Sequence, residues 1–483
     1  MPQHSRTEDG ILEAARTLPI AAEVDVAIAG GGPSGLAAAI GAARAGASVL
    51  LVEQNSFLGG VATGAMMAAF VGSSTATGVG LELIDRLADL GAAPRWPGPE
   101  GRSQTTPFDP EALKRVALDL IGQAGVQPLF YTFTSGPVVI DGRLSGLITE
   151  SKSGRQAVLA KTVVDCTGDA DIAVAAGAPF MQGRESDGSM RPFALIFRLG
   201  GLDIETLMRY AEQHPDQIQP QHRHGTRLRA GDEEVITRVS GFYRLVEAAK
   251  ADGNYPRDLH YFRLENLWTN RGTAICNTTR VYGVDGADAS DLTRGEIAAR
   301  RQVQELVAFV RRYLPGGANA YLIDVAPRLG VRETRRIIGE YSLTDEDAYR
   351  DTTFPDPILE FRSTLIPRPR PANLDVHMPE PIEGSEQDWI ERYPERVPSE
   401  RHQFQVPYRV LLPRGVDNLL VAGRAISVSH MIDSWTRNMF ICLRTGQIAG
   451  IAAALSADSG TQPRDLDYAT LSAELTRQRV STI

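Results

Sequence analysis

Cysteine is scarce in this chain of 483 residues: three occur, Cys166, Cys276 and Cys442, far apart in sequence. A cysteine-held iron–sulfur cluster needs about four ligands at close spacing, and a disulfide scaffold needs an even, denser set. Neither is expected, and Cys166 and Cys442 read as small residues in packed elements rather than as a redox disulfide. Basic residues are not in excess, with 50 Lys and Arg against 59 Asp and Glu and a formal net charge of −9. That balance lacks the footprint of a nucleic-acid binder or a polybasic membrane protein. No uninterrupted apolar run approaches about 18 residues, so no membrane-spanning helix is expected. The opening MPQHSRTEDGILEAARTLPIAAEVD has no basic segment leading into an apolar run of secretory length. It reads as a short helix and lead-in to a strand, and a cytoplasmic location is the expectation. His222 and His224, in QHRHG, have no acid or cysteine pattern nearby, so an exposed loop is expected there and no metal site. Internal repeats are absent.

What is present is an ordinary globular composition, 43% apolar and 23% charged. The length exceeds the roughly 250 to 300 residues at which a single core stops growing, so two connected domains are expected.

The most informative stretch is Asp25 to Glu53, DVAIAGGGPSGLAAAIGAARAGASVLLVE. An apolar strand runs into a turn, GGGPSG, and then into an alanine-rich helix suited to close packing on a sheet. Gly30, Gly32 and Gly35 have the Gly-x-Gly-x-x-Gly spacing, with Pro33 and Ser34 completing the turn. The first glycine permits the tight turn, the second lets backbone approach a pyrophosphate, and the third lets helix and strand touch. The helix start directs unpaired N–H groups at the phosphates. The next strand ends on Glu53, followed by Gln54, where a carboxylate can accept hydrogen bonds from ribose hydroxyls.

Glu53 disfavours a 2′-phosphate without separating NAD from FAD. The choice comes from further returns of the chain to the same cofactor. FLGGVATG brings Gly59, Gly60, Val61, Ala62 and Thr63 just past the acidic strand end; VVDCTGDAD brings Thr167, Gly168 and Asp169 after another apolar strand; NLLVAGRAIS brings Gly423 and Arg424. Repeated returns suit a long, extended FAD better than a nicotinamide held in one compact domain.

These segments, with FDPEALKRVALDLIGQAGV, MRPFALIFRLGG, NTTRVYGVDGADASDLT, GVRETRRIIGEYSLT, VPYRVLLPRGVDNLLVAGRAIS and MFICLRTGQIAG, resemble the FAD-dependent oxidoreductases related to the fumarate reductase and succinate dehydrogenase flavoproteins. The resemblance extends from about residue 20 to about residue 455. It implies an α/β fold, with a Rossmann-like FAD-binding domain of the glutathione-reductase type and an inserted α+β substrate domain. The expected boundaries are 1–178 and 411–483 for the two parts of the FAD domain and 179–410 for the substrate domain. Residues 351–407 are proline-rich and read as an irregular cap or partner-binding surface. The same resemblance places Asn438 and Met439, at the start of the last long helix, against the flavin pyrimidine end, where backbone N–H groups stabilise negative charge. Thr134 joins the cofactor contacts.

For the chemistry, His430 and Arg437 flank the loop before that helix. A histidine can take the proton that leaves with a hydride, and an arginine can grip a carboxylate. Arg280, Arg332 and Arg409 follow as candidates for an anionic or hydroxylated substrate, while Arg335 and Arg336 read as an arginine–glutamate lattice with Glu333 and Glu340. Asp433 and Trp435 depart from the family's usual small or apolar neighbours. The expected activity is hydride transfer between a small polar metabolite and flavin N5 by a dehydrogenase or oxidase, or a reductase in the reverse direction. A flavin monooxygenase fed by NAD(P)H and a non-catalytic flavoprotein or electron-transfer subunit are the alternatives. No histidine lies in FLGGVATG, so FAD is expected to be non-covalent. The electron acceptor, whether O2, a quinone or a protein carrier, stays open, and a homo-oligomer is compatible with the sequence.

Overall fold

The computed structural model describes residues 4–6, 9–13, 15–71, 76–95, 105–219, 226–363 and 402–481. Its main sheet has seven strands. Gln127–Leu129, Val49–Val52, Ile20–Ala29 and Gly154–Asp165 lie side by side and parallel. The hairpin Phe133–Ile140 and Arg143–Ser151 then continues antiparallel from Gly154–Asp165. Its turn, Asp141 and Gly142, has φ of 49° and 77°, the left-handed pair that a tight two-residue hairpin requires. Leu419–Val421, arriving from the far end of the chain, pairs parallel with Val163–Asp165 and closes the sheet. Val49–Val52 is apolar throughout and fully buried, as expected of an interior parallel strand covered on both faces.

The register levels the strand ends. Asp165 pairs with both Ala29 and Val421, and Ala29 with Val52. The turns that follow these strands therefore emerge along one edge, which is where open α/β sheets bind ligands.

Two helices cover one face. Pro33–Arg44 lies against Met439–Ser459, and glycines set their separation. A Cβ at Gly446 would stand 2.1 Å from the Ser34 carbonyl oxygen, and one at Gly450 would stand 2.0 Å from that of Ala38. Backbone meets backbone, so neither position admits a side chain. Met439–Ser459 is by length and composition apolar enough to cross a membrane, but 94% of its apolar window is buried inside the protein, where it is the central helix of the core.

The second sheet is antiparallel, in the order Arg227–Ala230, Glu233–Gly241, Phe262–Trp268, Thr273–Cys276, Phe197–Gly200 and Tyr321–Val325. The helix Ala289–Tyr313 begins with the Asp288 carboxylate accepting from the Asp291 N–H and packs Phe309 against Phe262, ring centroids 5.1 Å apart. Phe180–Gln182 pairs with Arg335–Ile337.

Two expectations change. The N-terminal segment is an antiparallel pair, His4–Arg6 with Ile11–Glu13, and not a helix. Asp9 and Gly10, poor helix formers, sit where that helix would have run. The proline-rich stretch is ordered at both ends, with Pro357–Ser363 pairing with His402–Pro407; residues 364–401, and with them any cap role, lie outside the described residues, as do His222 and His224.

Candidate active site

Each strand end along the common edge delivers a tight turn to one cavity of about 940 Å³, near the upper end of ligand-pocket sizes. Gly30 has φ 94°, and a Cβ there would lie 2.6 Å from the Cys166 carbonyl oxygen. This glycine lets the first turn pass the third strand's exit. Gly32 faces the opposite situation, since a Cβ there would meet nothing nearer than 3.9 Å. The space over it is open, and the helix beginning at Pro33 has no side-chain cap, so its first N–H groups are free to meet a ligand.

Acids brace the turns. The Glu53 carboxylate accepts from the Gly31 N–H at 2.7 Å and from the Asn55 N–H at 2.8 Å, locking the glycine turn to the second strand. Asp165, fully buried, accepts from Thr167 N, Ile172 N and Ala173 N at 2.9–3.0 Å. Arg424 joins the last strand's turn to this one, donating to the Gly168 carbonyl at 2.7 Å and pairing with Asp169. Burial, together with the Asp169 and Asp165 charges, pushes the cavity-lining Asp171 carboxyl up to about 6 against Arg335 and Arg424.

Of the sequence-predicted cofactor residues, Gly30, Gly32, Pro33, Ser34, Glu53 and Gln54 line the cavity, as do Gly60, Val61, Thr134, Thr167, Gly168 and Asp169, and Gly423, Arg424, Asn438 and Met439. Gly35, Gly59, Ala62 and Thr63 do not line it. They shape what does: a Cβ at Gly35 would sit 1.7 Å from the Gly30 oxygen, and the Thr63 hydroxyl donates to the Leu58 carbonyl at 2.7 Å, holding the Gly59–Gly60 loop. Arg328 was not signalled by any motif. Its guanidinium lines the cavity beside Gly60 and Gly64 with no ion-pair partner among the described residues, and burial lowers its pKa although Glu53 opposes the shift. An orphaned cation beside an open glycine turn and an uncapped helix start suits a pyrophosphate, so the residues present fit FAD.

The second sheet supplies the other part of the wall. Arg238 and Glu265 are cross-strand neighbours and pair at 2.8 Å. Burial works to raise the Glu265 carboxyl, but Arg238 and Arg263 outweigh it and its pKa falls below the ordinary value. Arg263, Arg280 and Arg332 line the same region without a carboxylate in direct contact among the described residues. Arg280 donates to the Thr279 carbonyl at 2.6 Å and to the Tyr261 hydroxyl at 2.9 Å, and Arg332 to the Pro192 carbonyl. Burial and the nearby Arg280 and Arg437 charges press the Arg332 pKa well below normal. Arg437 also lines the cavity, with Asp433 behind it at 3.9 Å. Arg263 and Glu265 were missed in the sequence; charged residues at alternate positions of the apolar strand FRLENLW were the available signal.

Two candidates stand elsewhere, which corrects their placement at the cavity. His430 is buried behind the wall, its Nδ1 2.8 Å from the Glu333 carboxylate and its backbone N–H on Glu185 at 2.7 Å. Arg409 pairs with Asp356 at 3.0 Å and lies over the Tyr341 ring. Neither lines the cavity. The expected lattice is split: Arg336 pairs with Glu333, but Arg335 pairs with Asp171 and Glu340 with Arg464. The three cysteines are free and buried, with Cys276 and Cys442 pushed up to about 12 by burial, so they are inert thiols.

Comparison with known proteins gives a family. A model described as FAD dependent oxidoreductase matches residues 25–475. No curated protein matches. Among solved structures, a geranylgeranyl bacteriochlorophyll reductase-like protein from Thermoplasma acidophilum is similar at 12% identity and TM-score 0.47, covering 95% of this chain and 84% of that one. GidA from Aquifex aeolicus is similar at 14% identity and TM-score 0.47, covering 91% and 64%. A p-nitrophenol 4-monooxygenase from Pseudomonas putida is similar at 11% identity and TM-score 0.44, covering 95% and 90%.

Proposed function

The chain belongs to the FAD dependent oxidoreductase family and uses FAD, and from that premise we propose that it is a dehydrogenase or oxidase acting on a small metabolite that carries a carboxylate. The observation behind this reading is the set of three cavity arginines, Arg263, Arg280 and Arg332, none of which makes a direct ion pair among the described residues, with Glu265, itself paired to Arg238, acting on Arg263 and Arg280 only through space. Buried charges left without partners are costly, and a planar guanidinium meets a carboxylate through paired N–H donors. A substrate carboxylate would supply the missing counter-charge. When bound, FAD supplies a two-electron hydride acceptor.

In this reading Arg263, Arg280 and Arg332 bind and orient the substrate from the second sheet, and Arg437 adds a fourth charge from the loop before the central helix. Arg328 and the free N–H groups of the turn at Gly32 hold the cofactor phosphates, while Glu53 receives the ribose. The division into 1–178 with 411–483 and 179–410 belongs to the same proposal, supported by a main sheet drawn from residues 20–165 and 419–421 and a second sheet drawn from 197–325. Kinship with the fumarate reductase and succinate dehydrogenase flavoproteins is likewise proposed, on the segments GGGPSGLAAAI and MFICLRTGQIAG.

Anaerobic mixing of the yellow holoenzyme with pools of hydroxy and amino acids tests the proposal. Bleaching of the flavin by a carboxylate-bearing compound is the expected outcome. Bleaching by NAD(P)H alone, with no response to any acid, would replace it with the monooxygenase reading.

A further inference from the structure

Tyr261 stands immediately before the strand Phe262–Trp268, among the arginines just described. Its hydroxyl oxygen accepts from Arg280 Nη2 at 2.9 Å, and the Arg263 guanidinium carbon lies 5.1 Å from its ring centroid. Arg332 adds a third positive charge. The carboxylate of Glu265, on the same wall, pairs with Arg238 at 2.8 Å. Beyond the through-space pull of Glu265 on Arg263 and Arg280, the three guanidinium groups share the Tyr261 phenol, a group able to turn negative that Arg280 touches directly.

We infer that Tyr261, when ionised, competes with the substrate carboxylate for Arg263, Arg280 and Arg332, so that binding of the anion to that form drives a proton from solvent onto the phenol. The inference rests on the carboxylate reading of this cavity and adds a proton-linked positioning residue to it. No covalent bond of the substrate changes in this step; one O–H bond forms on Tyr261 and one anion replaces another against the same cations.

The other groups facing Tyr261 sharpen the point. Tyr243 and Tyr255 stand near it, and burial pushes the first up to about 12 and the second well above its ordinary value. Burial acts on Tyr261 in the same direction, but Arg263, Arg280 and Arg332 reverse it and bring that phenol down to about 8; Arg238 also faces it, its own charge taken up by Glu265. A carboxylate drawing on the three guanidinium groups weakens their hold on the phenolate, and the Tyr261 pKa returns towards the usual value of about 10. The sign of the linkage follows. Below the ligand-free pKa the phenol is already neutral, and anion affinity does not depend on its titration. Above it the phenolate must first be protonated, so the dissociation constant rises by up to about tenfold per pH unit until the pKa of the complex is reached.

The test uses the FAD holoenzyme with succinate and acetate as probes, read by perturbation of the flavin spectrum across pH, together with the ultraviolet difference spectrum of tyrosinate. The expected result is a tyrosinate that titrates near 8 in the ligand-free protein, vanishes in Tyr261→Phe and is suppressed by saturating succinate. The succinate dissociation constant should be about tenfold weaker one pH unit above that titration, an effect absent from Tyr261→Phe. If that variant does not fold, Arg280→Met serves instead, and the tyrosinate titration should move to higher pH. Absence of a low-titrating tyrosinate, its survival in Tyr261→Phe, or a succinate affinity flat across its titration would overturn the inference while leaving the carboxylate reading standing. Failure of both anions to bind at about pH 7, where the phenol is neutral, would overturn the carboxylate reading and the coupling with it.

Discussion

At the scale of single residues, Asp433 decides how Arg437 is presented. Its carboxylate is fully buried, 3.5 Å from Arg191 and 3.9 Å from Arg437. Burial raises its pKa against the pull of those two arginines. Removing one partner of a buried ion cluster leaves the others uncompensated, so Asp433→Ala should cost about 3 to 5 kcal/mol of stability, read from denaturant midpoints. Arg437→Ala should behave differently, keeping FAD and raising KM for the carboxylate substrate by about tenfold or more, since a charge-assisted hydrogen bond contributes about 1.5 to 3 kcal/mol. An unchanged KM would remove Arg437 from the site. His430→Gln should leave kcat within about threefold, because a neutral amide can take over a hydrogen bond to Glu333 behind the cavity wall. Residues such as Gly30, Glu53 and Gly423 were legible in the sequence because their spacing is local. His430 was not, because which way the short helix His430–Thr436 turns its first side chain depends on Glu333 and Glu185, far away in the chain.

Among the elements, the contact between Pro33–Arg44 and Met439–Ser459 holds the cofactor turn in place. Gly450→Ala would drive a methyl into the Ala38 carbonyl, and overpacking of this kind costs about 1 to 3 kcal/mol or more. We expect a lower melting temperature and a smaller flavin-to-protein absorbance ratio, because displacing the first helix also moves the N–H groups at its start. Gly122→Ala is the control. It lies within the helix Pro110–Ala124 with nothing within 4 Å of its Cβ position, so the same change there should stabilise by about 0.5 to 1 kcal/mol and leave FAD content alone. The alanine and glycine pattern announced both helices. That they touch each other required the sheet between residues 20 and 421 to be assembled first.

For the molecule as a whole, the cavity is where two sheets and both ends of the chain meet, so cofactor and fold are thermodynamically linked. Segments near residues 30, 53, 60, 167 and 423 converge on one space. Stripping FAD should lower the melting temperature, and restoring it at about 100 times its dissociation constant should return roughly 2.7 kcal/mol. A melting temperature indifferent to added FAD would contradict the assignment of that space. Sequence by itself determined the strand, glycine turn, helix and acidic strand end, because the backbone angles and phosphate approach they serve are set within about thirty residues. The arginines left without a carboxylate in direct contact, the pairing of Arg238 with Glu265 and the retreat of His430 were decided by tertiary structure. Whether a charge finds a partner depends on which distant segments fold against it, and local spacing carries no record of that.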